Sequence, residues 1–420
     1  MAASTKPGAA LDATKSGAAA LLLLTGLNLL NYLDRYVLPA VQPEIQKEFH
    51  LTDAQLGFLT TTFFIGYILT APIFGWLADR YPRKYIMALG ALLWSGATLL
   101  TAYTYSFNAL VVRHAVVGIG EASFATIAPA FLADLYSEQR RGRVLAFFNI
   151  ALPFGAAAGY ALGGTLVVRH GWRTPFYVGA LPGVLLGLAV ALLREPPRGK
   201  RDLASISTER ASLAGLLRNA AFWTAVLGMA MLTFSEGGLS QWMPTFLNRV
   251  RGVPLDRVGL IFGAITGFNG IVATLIGGWL ADRMLRKHSA ANYWISGAAM
   301  LLGVAPMAVA LWGPPSATFP AIFVGEFMLF LNTGPLNAAI VNSVSARIRA
   351  QALAISIFTL HLLGDVPSPQ LIGYISERTH SLQKGFIPAL IATALSGIVL
   401  LYGARFAPRL SHPERSEGPI

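Results

Sequence analysis

Long apolar segments separated by short polar connections recur along the whole chain. A helix needs about 20 apolar residues to cross the roughly 30 Å hydrocarbon core of a bilayer, and twelve segments have about that length. Backbone groups inside lipid must be satisfied within the segment, and the alternating pattern of a barrel strand is absent, so each segment predicts a helix. The predicted spans run near 17–39, 54–77, 85–104, 108–133, 142–168, 174–193, 220–247, 257–281, 291–312, 318–345, 350–376 and 385–407.

The composition agrees with this pattern. Of the 420 residues, 54% are hydrophobic and only 12% are charged, whereas a soluble domain has about 25% charged residues. The net charge of +12 does not indicate nucleic-acid binding, because the basic residues lie in short loops between the spans. Without cysteine, and without a metal-spaced histidine cluster or a nucleophile–base motif, the chain is predicted to have no metal, no cofactor and no enzymatic activity.

The basic residues also predict the orientation in the membrane. With the N-terminus inside, 22 of the 32 Lys and Arg residues lie on the cytoplasmic side and 8 on the opposite side, and Arg35 and Arg113 lie within spans. Lys and Arg accumulate in cytoplasmic loops, so both termini are predicted to be cytoplasmic, in a bacterial-type inner membrane. The domains predicted from this pattern are a disordered tail (1–16), a six-helix bundle (17–193), a linker (194–219), a second six-helix bundle (220–408) and a second disordered tail (409–420).

A decapeptide occurs twice. Residues 75–84 read GWLADRYPRK and residues 278–287 read GWLADRMLRK, so eight of ten positions are identical at an offset of 203. Asp53 matches Asp256 at the same offset. Each copy follows the second span of its half, which indicates two parallel repeats related by an axis along the membrane normal.

The decapeptide resembles the signature of the major facilitator superfamily between its second and third helices. The resemblance implies an all-α membrane fold of 12 helices in two pseudo-symmetric bundles that transport a solute by alternating access. It also implies that the two acids close the cytoplasmic side by facing a helix N-terminus in the other half, where negative charge is favoured. The glycines are expected to allow close helix approach. The predicted gating residues are Asp79, Arg80, Arg83, Lys84, Asp282, Arg283, Arg286 and Lys287.

Four further segments resemble the spinster family within that superfamily. They are NYLDRYVLPAVQPEI (31–45), GIGEASFATIAPAFLADL (118–135), GEFMLFLN (325–332) and HLLGDVPSPQLIGYIS (361–376). The family has eukaryotic members that move sphingosine phosphate and lysophospholipids. The chain departs from the family in one place: His114 stands where the family has an Arg, and Arg113 precedes it, rotated by about 100° on a helix.

Ionisable residues inside spans are costly and usually face a cavity or a partner. At about 1.5 Å per residue, Asp34 and the pair Arg113 and His114 lie at one level in the outer part of the membrane, with Glu121 nearer the midplane. The sequence therefore predicts that Asp34 pairs with Arg113 or His114, with Glu121 below them.

Asp34 and Glu121 are predicted to carry the coupled proton, since a moving cation changes the proton affinity of a buried carboxylate. An anionic headgroup is expected to bind Arg35 and Arg113, because the guanidinium group forms paired hydrogen bonds with phosphate. The other predicted substrate-binding residues are Tyr32, Phe63, Tyr67, His114, Glu236 and Glu326. Static ion pairs that only fix helix packing are the alternative for the charged residues.

The predicted function is proton-coupled transport of a lysophospholipid or a sphingoid-phosphate-like amphiphile by a monomer. The nearest alternative is a transporter of a small organic anion or drug. An alternative from another class is a transport-dead membrane receptor. The sequence predicts protons, the lipid bilayer and a small amphiphilic or anionic solute as the partners of the protein.

Overall fold

The computed structural model describes residues 7–197, 213–345 and 348–408, and every regular element in these ranges is helical. The helices are α1 (Pro7–Phe49), α2 (Asp53–Arg80), α3 (Arg83–Thr101), α4 (Phe107–Leu135), α5 (Glu138–Asn149), α6 (Ala151–His170), α7 (Thr174–Ala191), α8 (Leu213–Leu217), α9 (Ala220–Arg249), α10 (Leu255–Leu285), α11 (Ala291–Trp312), α12 (Thr318–Phe330), α13 (Thr333–Asn342), α14 (Arg349–Leu360), α15 (Pro367–Thr379), α16 (Leu382–Gly385) and α17 (Ile387–Gly403). Short 3₁₀ turns occur at Pro315–Ala317 and Ala404–Phe406, and one π-helical turn at His361–Asp365.

Each of the twelve predicted spans coincides with one helix or with two consecutive helices. Among the described residues, eleven stretches are long and apolar enough to cross a membrane. The seventh predicted span is formed by the 30-residue helix α9, which contains Glu236 and several other polar residues and is not among the eleven. The predicted fold class, an all-helical membrane protein, is confirmed.

The first helix is longer than predicted at both ends. It begins at Pro7, inside the segment 1–16 that was predicted to be disordered, and it continues through Pro39 and Pro43 to Phe49. Residues 8–20 are rich in alanine, which favours the helix, and prolines are tolerated in membrane helices because neighbouring groups satisfy the freed backbone. The predicted tail 409–420 lies outside the described residues.

Three of the predicted spans contain a break. The fifth is divided into α5 and α6 at Ile150, and the tenth into α12 and α13 near Asn332. The eleventh changes from α-helix to a π-helical turn at His361–Asp365, directly before Pro367 begins α15. Such turns are frequent at functional sites.

The compact units of the structure do not follow the predicted bundles. Unit 1 comprises Met1–Glu209, Phe234–Ile271 and His361–Ala389, and unit 2 comprises Arg210–Thr233, Val272–Leu360 and Leu390–Ile420. Parts of α9 and α10, together with α15, therefore pack with the first six spans in unit 1. Helix α2, for example, donates a hydrogen bond from Thr61 Oγ1 to the carbonyl oxygen of Val366 at 2.7 Å. The predicted boundary at 194–219 divides the sequence repeats but not the packing.

Unit 2 has a core of its own. It consists of Ala273, Ala281, Ile295, Ala299 and Leu331, with further apolar side chains packed around them. Tyr293 donates a hydrogen bond of 2.7 Å to the carbonyl oxygen of Ala221, which fixes α11 to the start of α9. The short helix α8 occupies the end of the predicted linker, of which residues 198–212 lie outside the described residues.

Glycines permit very close approach of α2 and α4. A Cβ atom at Gly118 would lie 2.1 Å from the carbonyl oxygen of Phe63, and one at Gly66 would lie 2.5 Å from that of Ala115. At Gly75 a Cβ atom would make only an ordinary contact of 3.8 Å, and at Gly278 it would meet nothing within 4 Å, although a Cβ atom at Gly334 would lie 3.5 Å from Cα of Gly278. The helix approach at these two glycines is therefore less close than that at Gly66 and Gly118. Close packing of α2 against α4 fixes the positions of the side chains described next.

Candidate functional site

A buried ion pair joins α1 to α4 inside unit 1. The Nη2 atom of Arg35 donates a hydrogen bond of 2.7 Å to Oε2 of Glu121. The Glu121 side chain is 0% exposed and that of Arg35 is 21% exposed. Removing one partner of such a pair would leave a buried charge without compensation, which costs about 3–5 kcal/mol. The pair therefore holds both side chains at fixed positions.

Four aromatic rings surround the Arg35 guanidinium. Its Cζ atom lies 5.3 Å from the ring centroid of Tyr32, 5.0 Å from Phe63, 5.7 Å from Phe64 and 5.8 Å from Tyr67. All four distances are within the range of a cation–π attraction. The predicted substrate residues Tyr32, Arg35, Phe63 and Tyr67 are thus brought together, and the Nε atom of Arg35 is still buried without a hydrogen-bond partner.

Asp34 has no partner of this kind. The residue is 8% exposed, and neither carboxylate oxygen makes a hydrogen bond with any described residue. Helix α7 approaches it at a glycine, since a Cβ atom at Gly179 would lie 2.4 Å from Oδ1 of Asp34. The carboxyl group is therefore closely confined, and a buried charge without a partner is strongly unfavourable.

A small cavity lies beside Asp34. Its volume is about 40 Å³, which is enough for one or a few water molecules. The polar side chains that line it are Asp34, Arg35, Thr60, Thr98, Thr101 and His114. The Oγ1 atom of Thr60 is also buried without a hydrogen-bond partner. The cavity is thus a polar compartment, and its lining side chains have unsatisfied acceptors for a water molecule or a proton.

The predicted ion pair between Asp34 and Arg113 or His114 is not formed. Arg113 donates instead to the carbonyl oxygen of Leu100 and to Oγ1 of Thr104. Leu100 lies in the last turn of α3, and Thr104 lies three residues beyond the end of that helix. The rotation of about 100° between consecutive helical residues directs Arg113 away from the cavity that His114 lines.

The sequence left open whether Arg113 or His114 faces the cavity. In the structure, His114 lines it. Its side chain is buried, and Nδ1 lies 2.9 Å from the carbonyl oxygen of Leu110 on its own helix. A carbonyl only accepts, so Nδ1 is the donor of this hydrogen bond. His114 is therefore a second polar group of the Asp34 compartment.

The π-helical turn adds two titratable groups to unit 1. His361 Nδ1 lies 2.6 Å from Oδ2 of Asp365, and the His361 ring packs on Phe64 and Tyr67 at centroid distances of 5.8 and 5.4 Å. His361 thus contacts the aromatic rings that surround Arg35. The sequence did not predict this contact, because the turn that presents His361 depends on the break in the helix.

The two remaining predicted acids are distributed between the units. Glu236 lies on α9 in unit 1, where its Oε1 atom is buried without a hydrogen-bond partner. A Cβ atom at its neighbour Gly237 would lie 2.8 Å from Oδ1 of Asp365, so α9 passes close to the π-helical turn. Glu326 lies on α12 in unit 2.

The first decapeptide is anchored within its own half. Arg83 contacts Oδ2 of Asp134 at 2.6 Å and Oε1 of Glu195 at 2.9 Å, and it donates to the carbonyl oxygen of Pro196. Lys84 donates from Nζ to the carbonyl oxygen of Leu193 at 2.9 Å. The sequence analysis did not identify Asp134 and Glu195 as partners of the decapeptide.

Both copies of the decapeptide place an arginine over a tryptophan. Arg80 Cζ lies 4.1 Å from the ring centroid of Trp76. Arg283 Cζ lies 5.9 Å from that of Trp279. The acids Asp79 and Asp282 are exposed in the structure. The conserved local geometry agrees with the duplication, and the gating role of these residues remains a prediction.

The part of the chain that the structure describes contains no group of three or more His, Asp or Glu side chains arranged to hold a metal ion. The site on α1 and α4 instead consists of a partly buried cation in contact with one carboxylate and four rings, next to a second carboxylate without a hydrogen-bond partner. Such an arrangement offers a guanidinium to an anionic group and an unpaired carboxyl group to a proton.

Comparison with known proteins gives consistent matches. The model of the Major Facilitator Superfamily matches residues 24–369. Protein spinster homolog 3 of Danio rerio is 37% identical over 380 residues, covering 85% of this chain and 76% of that protein. The sphingosine-1-phosphate transporter SPNS2 of Xenopus tropicalis is 33% identical, covering 96% of this chain and 83% of that protein.

A solved structure has the same fold. It is the crystal structure of a bacterial homologue of the human lysosomal transporter spinster in an inward-facing and occupied conformation. The TM-score is 0.77 at 22% sequence identity, covering 93% of this chain and 96% of that chain.

Proposed function

The chain belongs to the spinster family of transporters in the major facilitator superfamily, and we propose that it couples the movement of an anionic amphiphile to that of protons. The proposed solute is a lysophospholipid or a sphingoid phosphate. The proposed mechanism is alternating access by a monomer in a bacterial inner membrane, with both termini in the cytoplasm.

The observation that supports this proposal best is the charge arrangement around Arg35. Two buried carboxyl groups lie near one guanidinium, but Arg35 bonds only Glu121, and its neighbour Asp34 has no hydrogen-bond partner. Two ionised carboxylates and one cation leave a net negative charge in a buried place, and uptake of one proton removes it. The site therefore has a physical reason to bind a proton.

Solute binding and proton binding are linked through the same cation. An anionic headgroup that bonds Arg35 competes with Glu121 for the guanidinium. Glu121 then becomes a buried carboxylate without a partner, and its protonation is favoured because desolvation disfavours the charged form. The spare Nε donor of Arg35 gives the headgroup a first contact before the Glu121 bond breaks. Binding of the anion thus promotes uptake of a proton.

The aromatic rings suit the apolar part of the proposed solute. Phe63, Phe64, Tyr67 and Tyr32 form an apolar surface directly around the cation. A lysolipid has a phosphate close to an acyl chain, and the combination of a guanidinium with several rings matches both parts. A small organic anion or a drug would need the cation and fewer of the rings.

The decapeptides are proposed to close the cytoplasmic side. Asp79 and Asp282 are exposed acids at the ends of α2 and α10, and each is followed by basic residues of the motif. Arg83 is fixed by Asp134 and Glu195, so that it supports the start of α3 at this end. In the proposed cycle the contacts of the two acids break when this side opens.

Ligand-dependent thermal stability of the purified protein tests the proposal. A ligand that binds only the folded state at 100 times its Kd stabilises it by about 2.7 kcal/mol. We expect lysophospholipids or sphingoid phosphates to raise the melting temperature, and Arg35→Gln to abolish this increase. Glu44→Gln, which alters an exposed acid on the same helix, serves as the matched control and is expected to retain it.

The other outcomes separate the alternatives. Stabilisation by small organic anions without any effect of lysolipids supports the small-anion transporter. Stabilisation by a lysolipid without counterflow of that lysolipid in proteoliposomes supports the receptor. A lysolipid response that persists unchanged in Arg35→Gln contradicts the proposed site.

A further inference from the structure

A second cluster of polar contacts lies at the opposite end of α2 from the decapeptide. Asp53, the first residue of α2, accepts hydrogen bonds from Arg249 at 2.8 and 3.0 Å, from Gln46 at 2.9 Å and from Ser376 at 2.5 Å. The 28 residues of α2, from Asp53 to Arg80, form a helix of roughly 40 Å. The cluster and the first decapeptide are therefore at opposite ends of the predicted span.

The cluster connects the first half of the chain to the second. Gln46 and Asp53 belong to α1 and α2, whereas Arg249 and Ser376 belong to α9 and α15. One turn further along α1, Gln42 accepts from Gln241 and donates to Oγ1 of Thr245 at 3.2 Å. All these residues lie in unit 1. Both layers of contacts must separate before this end can open between α1 and α9.

The sequence separation of the contacting residues identifies the symmetry of the cluster. Gln42 and Thr245 are 203 residues apart, and so are Gln46 and Arg249, which also contact each other. The two decapeptides have the same offset of 203. When equivalent residues of two repeats touch each other, they lie on the axis that relates the repeats. The pseudo-twofold axis therefore passes between α1 and α9 at this level.

The symmetry is broken in one respect. The repeat equivalent of Asp53 is Asp256, the second residue of α10, and Asp256 makes no hydrogen bond or ion pair with any residue that the structure describes. The repeat equivalent of Arg249 is Gln46, which carries no charge. Arg249 therefore pairs with only one of the two symmetry-related carboxylates. The pair forms with Asp53 and not with Asp256 because the arginine is on α9 and not at the equivalent position on α1.

We propose that Arg249 and Asp53 form a one-sided latch on the pseudo-twofold axis and that Asp256 is its unused second acceptor. The latch closes the end of the transport path that is opposite the decapeptides, and this inference rests on the alternating-access part of the proposed function. Exchanging the residues at positions 46 and 249 moves the latch from Asp53 to Asp256. The carboxylate that binds the arginine can thus be changed while this end of the transport path stays closed.

The test uses the absence of native cysteine. A single Leu38→Cys variant provides the reporter, because Leu38 lines the cavity beside Asp34 and lies four residues, about 6 Å, from Gln42 on α1. Its labelling by a membrane-impermeant maleimide measures access from the latch end. Lys47→Cys, which is 68% exposed at that end, shows from which face of a sealed vesicle the reagent arrives.

We expect labelling of the reporter to be slow in the parent and about tenfold faster in Arg249→Gln and in Asp53→Asn, with Asp256→Asn as the unchanged control. The double exchange Gln46→Arg with Arg249→Gln restores slow labelling. In this background the dependence is reversed: Asp256→Asn accelerates labelling about tenfold, and Asp53→Asn has no further effect. Labelling rates are compared only among variants whose melting temperature and monodispersity match those of the parent.

Fast labelling of the double exchange, or slow labelling that does not depend on Asp256, overturns the proposal. A Gln42→Cys and Thr245→Cys pair covers the case in which a charge variant does not fold. We expect oxidation to cross-link the pair and stop solute counterflow, and reduction to restore both; unaffected counterflow in the cross-linked protein also overturns the proposal. Labelling requires no solute, so its failure leaves the proposed proton coupling untouched.

Discussion

At the scale of single residues, three features of Arg35 define the site. It bonds Glu121 at 2.7 Å, it lies against four rings, and it follows Asp34, whose carboxylate has no partner. Lysine has neither the planar group for stacking nor the paired donors, so it does not reproduce this arrangement. The electrostatic balance of the site therefore depends on one side chain.

A double-mutant cycle tests this dependence. Arg35→Ala leaves Glu121 buried without a partner and is expected to destabilise the protein by about 3–5 kcal/mol. Glu121→Gln in the Arg35→Ala background removes the remaining charge, so we expect most of the stability to return while transport stays absent. The free energy of unfolding in detergent and solute counterflow in proteoliposomes measure the two effects. Equal destabilisation of the single and double variants contradicts a buried ion pair.

At the scale of helices, the close approach of α7 to α1 fixes the Asp34 carboxyl group. A Cβ atom at Gly179 would lie 2.4 Å from Oδ1 of Asp34, which is far inside contact distance. A side chain at this position therefore displaces the carboxyl group without changing any charge. Helix packing at this one glycine therefore restricts the carboxyl group that we propose to bind a proton.

Gly179→Ala is expected to lower proton-driven transport at least tenfold while the protein remains folded, because the confined carboxyl group must move. Gly96→Ala on α3 is the control, since a Cβ atom there would meet nothing within 4 Å, and it is expected to behave like the parent. Transport driven by an imposed pH gradient is compared with the melting temperature. Normal gradient-driven transport in Gly179→Ala argues against a fixed Asp34.

The helices themselves could be predicted from the sequence, but the pairs of residues that contact each other between helices could not. The apolar segments predicted the span positions, and Thr52 and Gln55 have the sequence spacing of the capping box that the structure forms at the start of α2. Both signals are local. The ion pair was predicted between Asp34 and either Arg113 or His114 from depth alone. Depth along a helix does not determine rotation about its axis, and rotation decides that Arg35 meets Glu121 while Arg113 bonds the end of α3.

At the scale of the whole molecule, the duplication visible in the sequence is only partly expressed in the packing. The offset of 203 relates the decapeptides and also the contacts of Gln42 with Thr245 and Gln46 with Arg249. The compact units nevertheless divide α9 and α10, which no local pattern of apolar residues indicates. Contacts between distant segments depend on how the helices pack together, and a local pattern of residues does not specify that packing.

Proton-driven transport in proteoliposomes is the most direct test of the central claim that the buried charges of unit 1 couple solute to proton. A solute that stabilises the purified protein is followed with and without an imposed pH gradient. The account predicts that Asp34→Asn and Glu121→Gln lose gradient-driven accumulation but still bind the solute. Full gradient-driven accumulation in both variants would contradict it.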